Sequence, residues 1–295
     1  MDAKTLQAQL LELIRRTSTR LPGDVVRSIE KGWRKEQKDS TAKYALKVVL
    51  DNIAMARDKS QPLCQDTGTI ICYAELPRWC DETSFKKAYE KAVVQATKKG
   101  YLRQNSVDSI TGRNSGNNLG PGNPAFHLHQ TKARTLTVRM MLKGGGCENV
   151  GAQYTLPDTR LGAGRDLAGV RTCILDAVHQ AQGKGCGPGI LGVCVGGDRG
   201  SGYLASKEEF FRQLDDTNED KRLAKLERQI VKEANSLGIG PMGFGGSTTL
   251  LGCKITHRNR VPASYFVSVS YMCWAFRRDG FKLSESGKIT SWMYD

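Results

Sequence analysis

The sequence of 295 residues lacks any apolar run long enough to cross a bilayer. Its N-terminus also lacks the uninterrupted apolar core of a signal peptide, because Asp2 and Lys4 lie within the apolar pattern. Apolar residues make up 39% of the chain and charged residues 25%, a balance that excludes a disordered chain. We therefore expect a globular protein of the cytoplasm, or of an organelle matrix, that buries its own core.

The sequence has no C-x-x-C pair, and its nine cysteines are an odd number in a chain without a secretion signal. Both features argue against a disulfide framework and predict reduced thiols, most of them buried in the core. Cys64, Cys186 and Cys273 differ from the others because they lie on loops beside Gly, Pro or Asp. These three are the candidate metal ligands.

A basic stripe with interleaved aromatic residues, as nucleic-acid surfaces have, is also missing. Lys and Arg outnumber Asp and Glu by 44 to 30, a net charge of +14, but they are dispersed among acids. The pattern favours a solvated basic exterior. A non-catalytic nucleic-acid-binding or scaffold protein remains the alternative from another functional class.

Hydrophobic periodicity predicts a mixed α/β fold in one domain over residues 1–295. The first part, about residues 1–60, reads as helical, with apolar faces at Leu6 to Ile14 and Leu46 to Ile53 separated by residues 22–24. Residues 61–280 read as a mixed sheet with flanking helices and Gly-rich loops. Further helices are predicted at 84–99, 166–182 and 218–236, and strands at 70–73, 126–129, 136–140 and 264–271, with the second and third strands forming a hairpin.

Many of the 32 glycines lie in loops next to strand or helix ends, where close backbone approach to a ligand is possible. Residues 187–192 match G-x-G-x-x-G, but they follow a helical pattern and lead into a strand, the reverse of a dinucleotide site. Residues 143–146 lack the Gly-Lys-Ser/Thr sequence that ends a phosphate-binding P-loop, but their backbone N–H groups could bind an anion. His127 and His129 share one strand face, which is weak support for zinc.

Two loop residues carry chemistry suited to an anionic substrate. Asp66, two residues after Cys64, is a candidate acid or base, although it could simply cap the turn before Gly68. Arg113 lies in a polar loop with Asn114 and Asn118 and could grip a carboxylate.

Five segments in order resemble the class I fumarase and tartrate dehydratase family, specifically its cluster-binding (alpha) half. They span about residues 60–280 and are PLCQDTG at 62–68, KGGGCEN at 143–149, CGPGILGV at 186–193, GIGPMGFGG at 238–246 and YMCWA at 271–275. The resemblance implies a 4Fe-4S cluster in which Cys64, Cys186 and Cys273 each bind one iron. The fourth iron stays open to substrate and acts as a Lewis acid.

The same resemblance implies Asp66 as the acid–base residue and Gln65, Arg113 and Gly145 as substrate-binding residues. It implies a hydro-lyase that reversibly hydrates fumarate to malate, with L(+)-tartrate dehydratase as the alternative. The family's smaller half has no counterpart in the sequence. We therefore expect a beta subunit that completes the active site, within an alpha2beta2 assembly, or a longer protein of which this is a part.

The sequence departs from the family pattern at three places. Gly187 stands where a proline is expected after the second ligand, which leaves the sulfur in place. Phe276 replaces an expected acid after the third ligand. Val261 precedes Pro262 where tartrate dehydratases tend to have histidine, which favours fumarate.

Overall fold

The computed structural model describes residues 1–294, which form a mixed α/β fold as predicted. The helices, numbered along the chain, are α1 (Ala3–Thr19), α2 (Gly23–Lys35), α3 (Thr41–Lys59), α4 (Glu82–Lys98), α5 (Gly145–Glu148), α6 (Leu167–Ala181), α7 (Arg199–Glu208) and α8 (Lys221–Ser236). The strands are β1 (Thr69–Leu76), β2 (Ala125–Gln130), β3 (Leu136–Lys143), β4 (Ala152–Thr155), β5 (Gly189–Gly196), β6 (Leu250–Arg258), β7 (Phe266–Met272), β8 (Arg277–Leu283) and β9 (Ile289–Trp292). Within residues 1–294, no helix is both long and apolar enough to span a membrane.

The chain divides into two compact units, each assembled from separate segments. Unit 1 comprises Met1–Gly23, Asp51–Gly145 and the segment from Ala275 onward. Unit 2 comprises Asp24–Leu50 and Gly146–Trp274. That the whole chain works as one catalytic domain remains a prediction.

The helices at the start of the chain follow their apolar faces and their caps. Leu10 and Ile14 of α1 are fully buried, and the Asp2 carboxylate caps this helix by accepting from the N–H groups of Lys4 and Thr5 at 2.9 Å. The prediction that residues 22–24 only separate two helices was wrong, because α2 begins there. Gly23 and Asp24 form its first turn, where an acid interacts favourably with the helix dipole.

Unit 1 contains a five-stranded sheet in the order β2-β1-β3-β8-β9. The predicted hairpin of β2 and β3 was wrong, since β1 lies between them, parallel to β2 and antiparallel to β3. Residues 70–74 of β1 are buried without a break, which suits a central strand rather than an edge. α1 and α4 pack together, and the core includes Leu10, Phe85 and Phe281, each of which contributes about 1.5–3 kcal/mol by burial.

Unit 2 contains a four-stranded sheet in the order β4-β7-β5-β6. β5 and β6 are parallel, and the crossover between them carries α7 against β5 and α8 against β6. Gly192 of β5 permits that packing, because a Cβ there would lie 2.1 Å from the carbonyl oxygen of Ser206. The predicted helices at 166–182 and 218–236 and the strand at 264–271 are confirmed as α6, α8 and β7.

Candidate functional site

The segment that carries Cys64 and Asp66 is anchored within unit 1 through Leu63. This side chain is buried, its N–H donates to the Ser18 carbonyl at 3.0 Å, and its carbonyl accepts from the Asn52 amide at 2.9 Å. Cys64 follows at once and is half-buried. Leu63 is therefore held by burial and by two hydrogen bonds of its backbone, and it fixes the position from which the Cys64 thiol projects.

The Asp66 carboxylate is held by two backbone N–H groups. Its Oδ1 accepts from Gly68 at 2.9 Å, the turn-capping role considered from the sequence, and its Oδ2 accepts from Gly145 at 2.7 Å. A Cβ on Gly144 would lie 3.0 Å from Oδ2, so a glycine at that position leaves room for the carboxylate. Two sequence motifs, at 62–68 and 143–149, thus meet at one carboxylate.

A cleft of about 560 Å³ opens beside this carboxylate, entirely within unit 1. Its lining comprises Gln65, Asp66, Leu102, Arg103, Gln104 and Asn105. The Thr67 hydroxyl accepts from the Arg103 N–H at 3.2 Å, and the Asn105 amide oxygen accepts from the Thr67 N–H at 2.9 Å. The cleft therefore combines a carboxylate, an arginine and side-chain amides, a set suited to an anionic polar substrate.

Arg103 is a functional candidate that the sequence reasoning missed. It directly follows a buried leucine beyond the end of α4, and nothing in its local pattern distinguishes it from other surface arginines. Two hydrogen bonds place this arginine beside Asp66: the N–H of residue 103 donates to the Thr67 hydroxyl, and the Thr67 N–H donates to the Asn105 amide oxygen.

Arg113 does not line the cleft. It lies on an exposed turn in which the Asp108 carboxylate accepts from the N–H groups of Ile110 and Thr111, and its own carbonyl accepts from the Asp108 N–H at 2.9 Å. Asn118, buried and in the left-handed region at φ 62°, ties this loop back by donating to the Arg103 carbonyl. The structure thus brings Gln65, Asp66 and Gly145 together and leaves Arg113 on the loop outside.

Cys186 and Cys273 lie next to each other in unit 2. Cys186 is half-buried, follows a 3-10 turn and adopts φ 53°. Cys273 comes directly after β7 and is 9% exposed. The Trp274 N–H donates to the Cys186 carbonyl at 3.2 Å, so the two cysteine-bearing turns are joined.

Tyr271 lies near these cysteines. Burial raises the pKa of its phenol, and Cys273, Cys147 and Cys186 raise it further, in that order. The ring is enclosed by Gly185 and Gly189, where added Cβ atoms would lie 2.5 and 2.2 Å from ring atoms. Glycines at these positions allow the turns to close on the ring.

The Gly-rich segment at 238–246 packs against the same turn. The Met242 N–H donates to the Gly187 carbonyl at 3.0 Å, and a Cβ on Gly183 would lie 2.7 Å from the Met242 carbonyl oxygen. Three of the five motifs are therefore assembled around one point in unit 2. β5 begins at Gly189, which confirms that the G-x-G-x-x-G match leads into a strand.

Five of the remaining cysteines are buried among core side chains, as expected for packing residues. Burial raises the pKa of Cys80, Cys173 and Cys194 to about 11 in each case, and raises those of Cys72 and Cys253 as well. At neutral pH such groups are neutral thiols, which are poor metal ligands. Cys147 is also buried, and its thiol donates to the Met272 sulfur at 3.9 Å.

The chemistry of the donor set fits an iron-sulfur cluster. Within residues 1–294, no three His, Cys, Asp or Glu side chains are placed to hold a single metal ion. A cluster does not require such a trio, because each thiolate binds a different iron. In unit 2, Cys186 and Cys273 lie on turns that the hydrogen bond from Trp274 to Cys186 joins. In unit 1, Cys64 is half-buried on an anchored turn.

Phe276 occupies the position of the expected acid and is fully buried. The Arg278 guanidinium lies 4.1 Å from the centre of its ring and 4.7 Å from that of Tyr294. Aromatic faces therefore contact this guanidinium where a carboxylate was expected.

A comparison with known proteins assigns the chain to a family. A family model described as Fumarate hydratase (Fumerase) matches residues 7–282. The chain belongs to the fumarate hydratase (Fumerase) family. The resemblance inferred from the five motifs is thereby confirmed.

Relatives of the chain are named for two related activities. A Geobacillus stearothermophilus protein, provisionally named a class I fumarate hydratase, is 49% identical over 98% of the chain, which spans 57% of that protein. A Methanocaldococcus jannaschii protein, provisionally named the alpha subunit of an L(+)-tartrate dehydratase, is 30% identical over 91% of the chain and 94% of its own length. The alpha subunit of L(+)-tartrate dehydratase from Escherichia coli K12 is 28% identical over 88% of the chain and 85% of its own length.

Proposed function

We propose that this chain is the cluster-binding portion of a hydro-lyase that reversibly hydrates fumarate to malate. The observation that carries the proposal is the Asp66 carboxylate, held by the Gly68 and Gly145 N–H groups at the edge of a cleft that also contains Gln65 and Arg103. The 49% identity to the Geobacillus stearothermophilus protein supports fumarate as the substrate.

Asp66 is the proposed acid–base residue. The proton removed from malate lies next to a carboxylate and is barely acidic, so a base must be placed close to it and fixed in orientation. The two backbone donors fix Asp66 in this way. Arg103 is the proposed carboxylate clamp within the cleft, with Gln65 and Gly145 as further substrate contacts, and Arg113 is a clamp only if its loop moves toward the cleft.

Cys64, Cys186 and Cys273 are the proposed ligands of a 4Fe-4S cluster. When bound, the cluster would supply an open iron as a Lewis acid for the departing hydroxyl group. The half-buried thiols of Cys64 and Cys186 and the hydrogen bond between the two cysteine-bearing turns of unit 2 support this set.

A second polypeptide or a further domain is proposed to complete the active site, in an alpha2beta2 assembly if it is a separate chain. Support comes from the relatives named alpha subunits and from the 57% coverage of the Geobacillus stearothermophilus protein. In this proposal the chain works as a single catalytic domain in the cytoplasm.

L(+)-tartrate is the second candidate substrate, because relatives at 28–30% identity are named for it. The test is to assay the cluster-reconstituted enzyme, with its partner, on malate and on both tartrate enantiomers. A higher kcat/KM for malate is expected. A large preference for tartrate would identify the other branch, and no turnover of either substrate would overturn the proposed function.

A further inference from the structure

Arg277 is a buried cation beside the Asp66 segment. It is the first residue of β8, where it pairs with Leu142 of β3, and it is 1% exposed. Guanidinium groups stay protonated in proteins, so a full positive charge lies beneath the surface here. Such a charge is costly to bury unless it is paired or serves a purpose.

The contacts of Arg277 do not neutralise this charge. One terminal nitrogen, Nη1, donates to the main-chain carbonyl of Asp66 at 2.8 Å. Its Nε is buried without a hydrogen-bond partner, and within residues 1–294 no carboxylate lies in ion-pair range of it. The positive charge of Arg277 can therefore act on other charged groups nearby.

The Asp66 carboxylate lies near this guanidinium. The point where a Cβ on Gly144 would lie is 3.0 Å from Asp66 Oδ2 and 3.7 Å from Arg277 Nη2. The carboxylate and the guanidinium therefore flank the same glycine, close enough for an electrostatic interaction. A second buried cation, Lys143, comes immediately before that glycine, and Arg277 in addition bonds the Asp66 backbone.

We propose that Arg277 is a positioning residue whose buried charge offsets the Asp66 carboxylate and so lets the cleft accept a dianion. A dicarboxylate that enters beside Asp66 brings two negative charges toward a third, and the exposed Arg103 is well screened by solvent. Arg277 reduces that repulsion and at the same time fixes the Asp66 backbone. This inference rests on the proposed dicarboxylate substrate.

The test compares a dianion with a monoanion of similar size, succinate with butyrate, by calorimetry on the anaerobically prepared chain carrying its cluster. For Arg277→Met, we expect succinate affinity to fall by about tenfold or more while butyrate affinity changes by less than about threefold. Arg277→Lys, which keeps the charge, should retain most of the preference for succinate. Arg278→Met is the matched control, since Arg278 is equally buried but contacts Phe276 and Tyr294.

Circular dichroism and thermal unfolding establish that each variant is folded. An unchanged preference for succinate in folded Arg277→Met overturns the proposal. If that variant does not fold, loss of the preference in Arg277→Lys overturns it instead. Failure of the unmodified chain to bind succinate at all counts against the proposed function, whereas binding that survives the Met substitution counts only against the role of Arg277.

Discussion

The Trp274 N–H donates to the carbonyl oxygen of Cys186 at 3.2 Å. This bond joins two turns that are far apart in sequence, because β5 and β7 are antiparallel neighbours with Ile190 opposite Met272. The start of β5 and the end of β7 lie at the same edge of the sheet, so the residues just beyond them, Cys186 and Cys273, emerge side by side. The sheet register itself therefore positions two of the three predicted ligands.

Replacing Cys64, Cys186 or Cys273 by Ser should abolish cluster binding, since each thiolate is expected to bind a separate iron. Iron and acid-labile sulfide in the anaerobically purified chain, about four of each when intact, measure the effect. Cys253→Ser is the control, because Cys253 is buried with a raised pKa and should leave the iron content unchanged. A full cluster in Cys273→Ser would remove that residue from the ligand set.

Cys80, Cys173 and Cys194 should resist alkylation in the folded, metal-free chain at pH 8. Burial raises their pKa values to about 11, so each remains the unreactive thiol until the pH rises well above 8. Half-buried Cys64 and Cys186 should react first. Peptide mass spectrometry after iodoacetamide treatment locates the label, and rapid labelling of Cys80 without unfolding would contradict the expectation.

The helices were predictable from the sequence because their signals are local. The helices at 84–99 and 166–182 were placed within about two residues, and in the structure acidic caps at Asp81 and Asp166 begin them. β8 was missed because its sequence, RRDGFKL, contains four charged residues, although all but one of its seven residues are buried. Burial of this strand depends on β3 beside it, which no local pattern reveals.

For the candidate site, the motifs predicted individual residues but not the contacts between them. Asp66 and Gly145 were each identified, but their 2.7 Å hydrogen bond spans 79 residues and could not be derived from spacing. Arg103 carries no motif signal of its own, and Arg277, which directly follows Phe276, was assigned no role from the sequence. The relevance of both comes from the hydrogen bonds of residue 103 and of the Arg277 side chain to the Asp66 segment. These two arginines are identified by their long-range contacts rather than by their residue type.

Arg103→Met should reduce kcat/KM more than Arg113→Met in the assembled enzyme. Arg103 lines the cleft beside Asp66, whereas Arg113 lies on the exposed turn outside it. Loss of a carboxylate contact from a charged group costs about 1.5–3 kcal/mol, or roughly ten- to a hundredfold in kcat/KM. Steady-state kinetics on malate measure the difference. A larger effect at Arg113 would show that its loop closes over the substrate and would restore the assignment made from the sequence.

Gly189→Ala should destabilise the chain and disturb the cysteine-bearing turns. The added Cβ would lie 2.2 Å from the buried Tyr271 ring, so the ring or β5 must shift, at a cost of about 1–3 kcal/mol. Gly200→Ala is the matched control, because its nearest heavy atom would be 3.5 Å away and alanine favours the first turn of α7. Urea unfolding measures both. Equal free energies of unfolding for the two variants would mean that the Tyr271 ring can shift at little cost.

The chain by itself should be a poor catalyst. The cleft described within unit 1 offers one carboxylate, Asp66, and one guanidinium, that of Arg103. These groups can move one proton and hold one substrate carboxylate, but they leave the second carboxylate and the departing hydroxyl's proton without dedicated partners. Displacement of a catalytic group by about an ångström can lower the rate roughly a hundredfold, so missing groups should lower it at least as much.

The test is to measure turnover and cluster lifetime anaerobically for the chain with and without its partner. The partner should raise kcat by about a hundredfold or more and slow cluster loss in air, because it would exclude solvent and oxidants from the thiolates. Full activity from the chain alone would mean that all the required groups lie within these 295 residues.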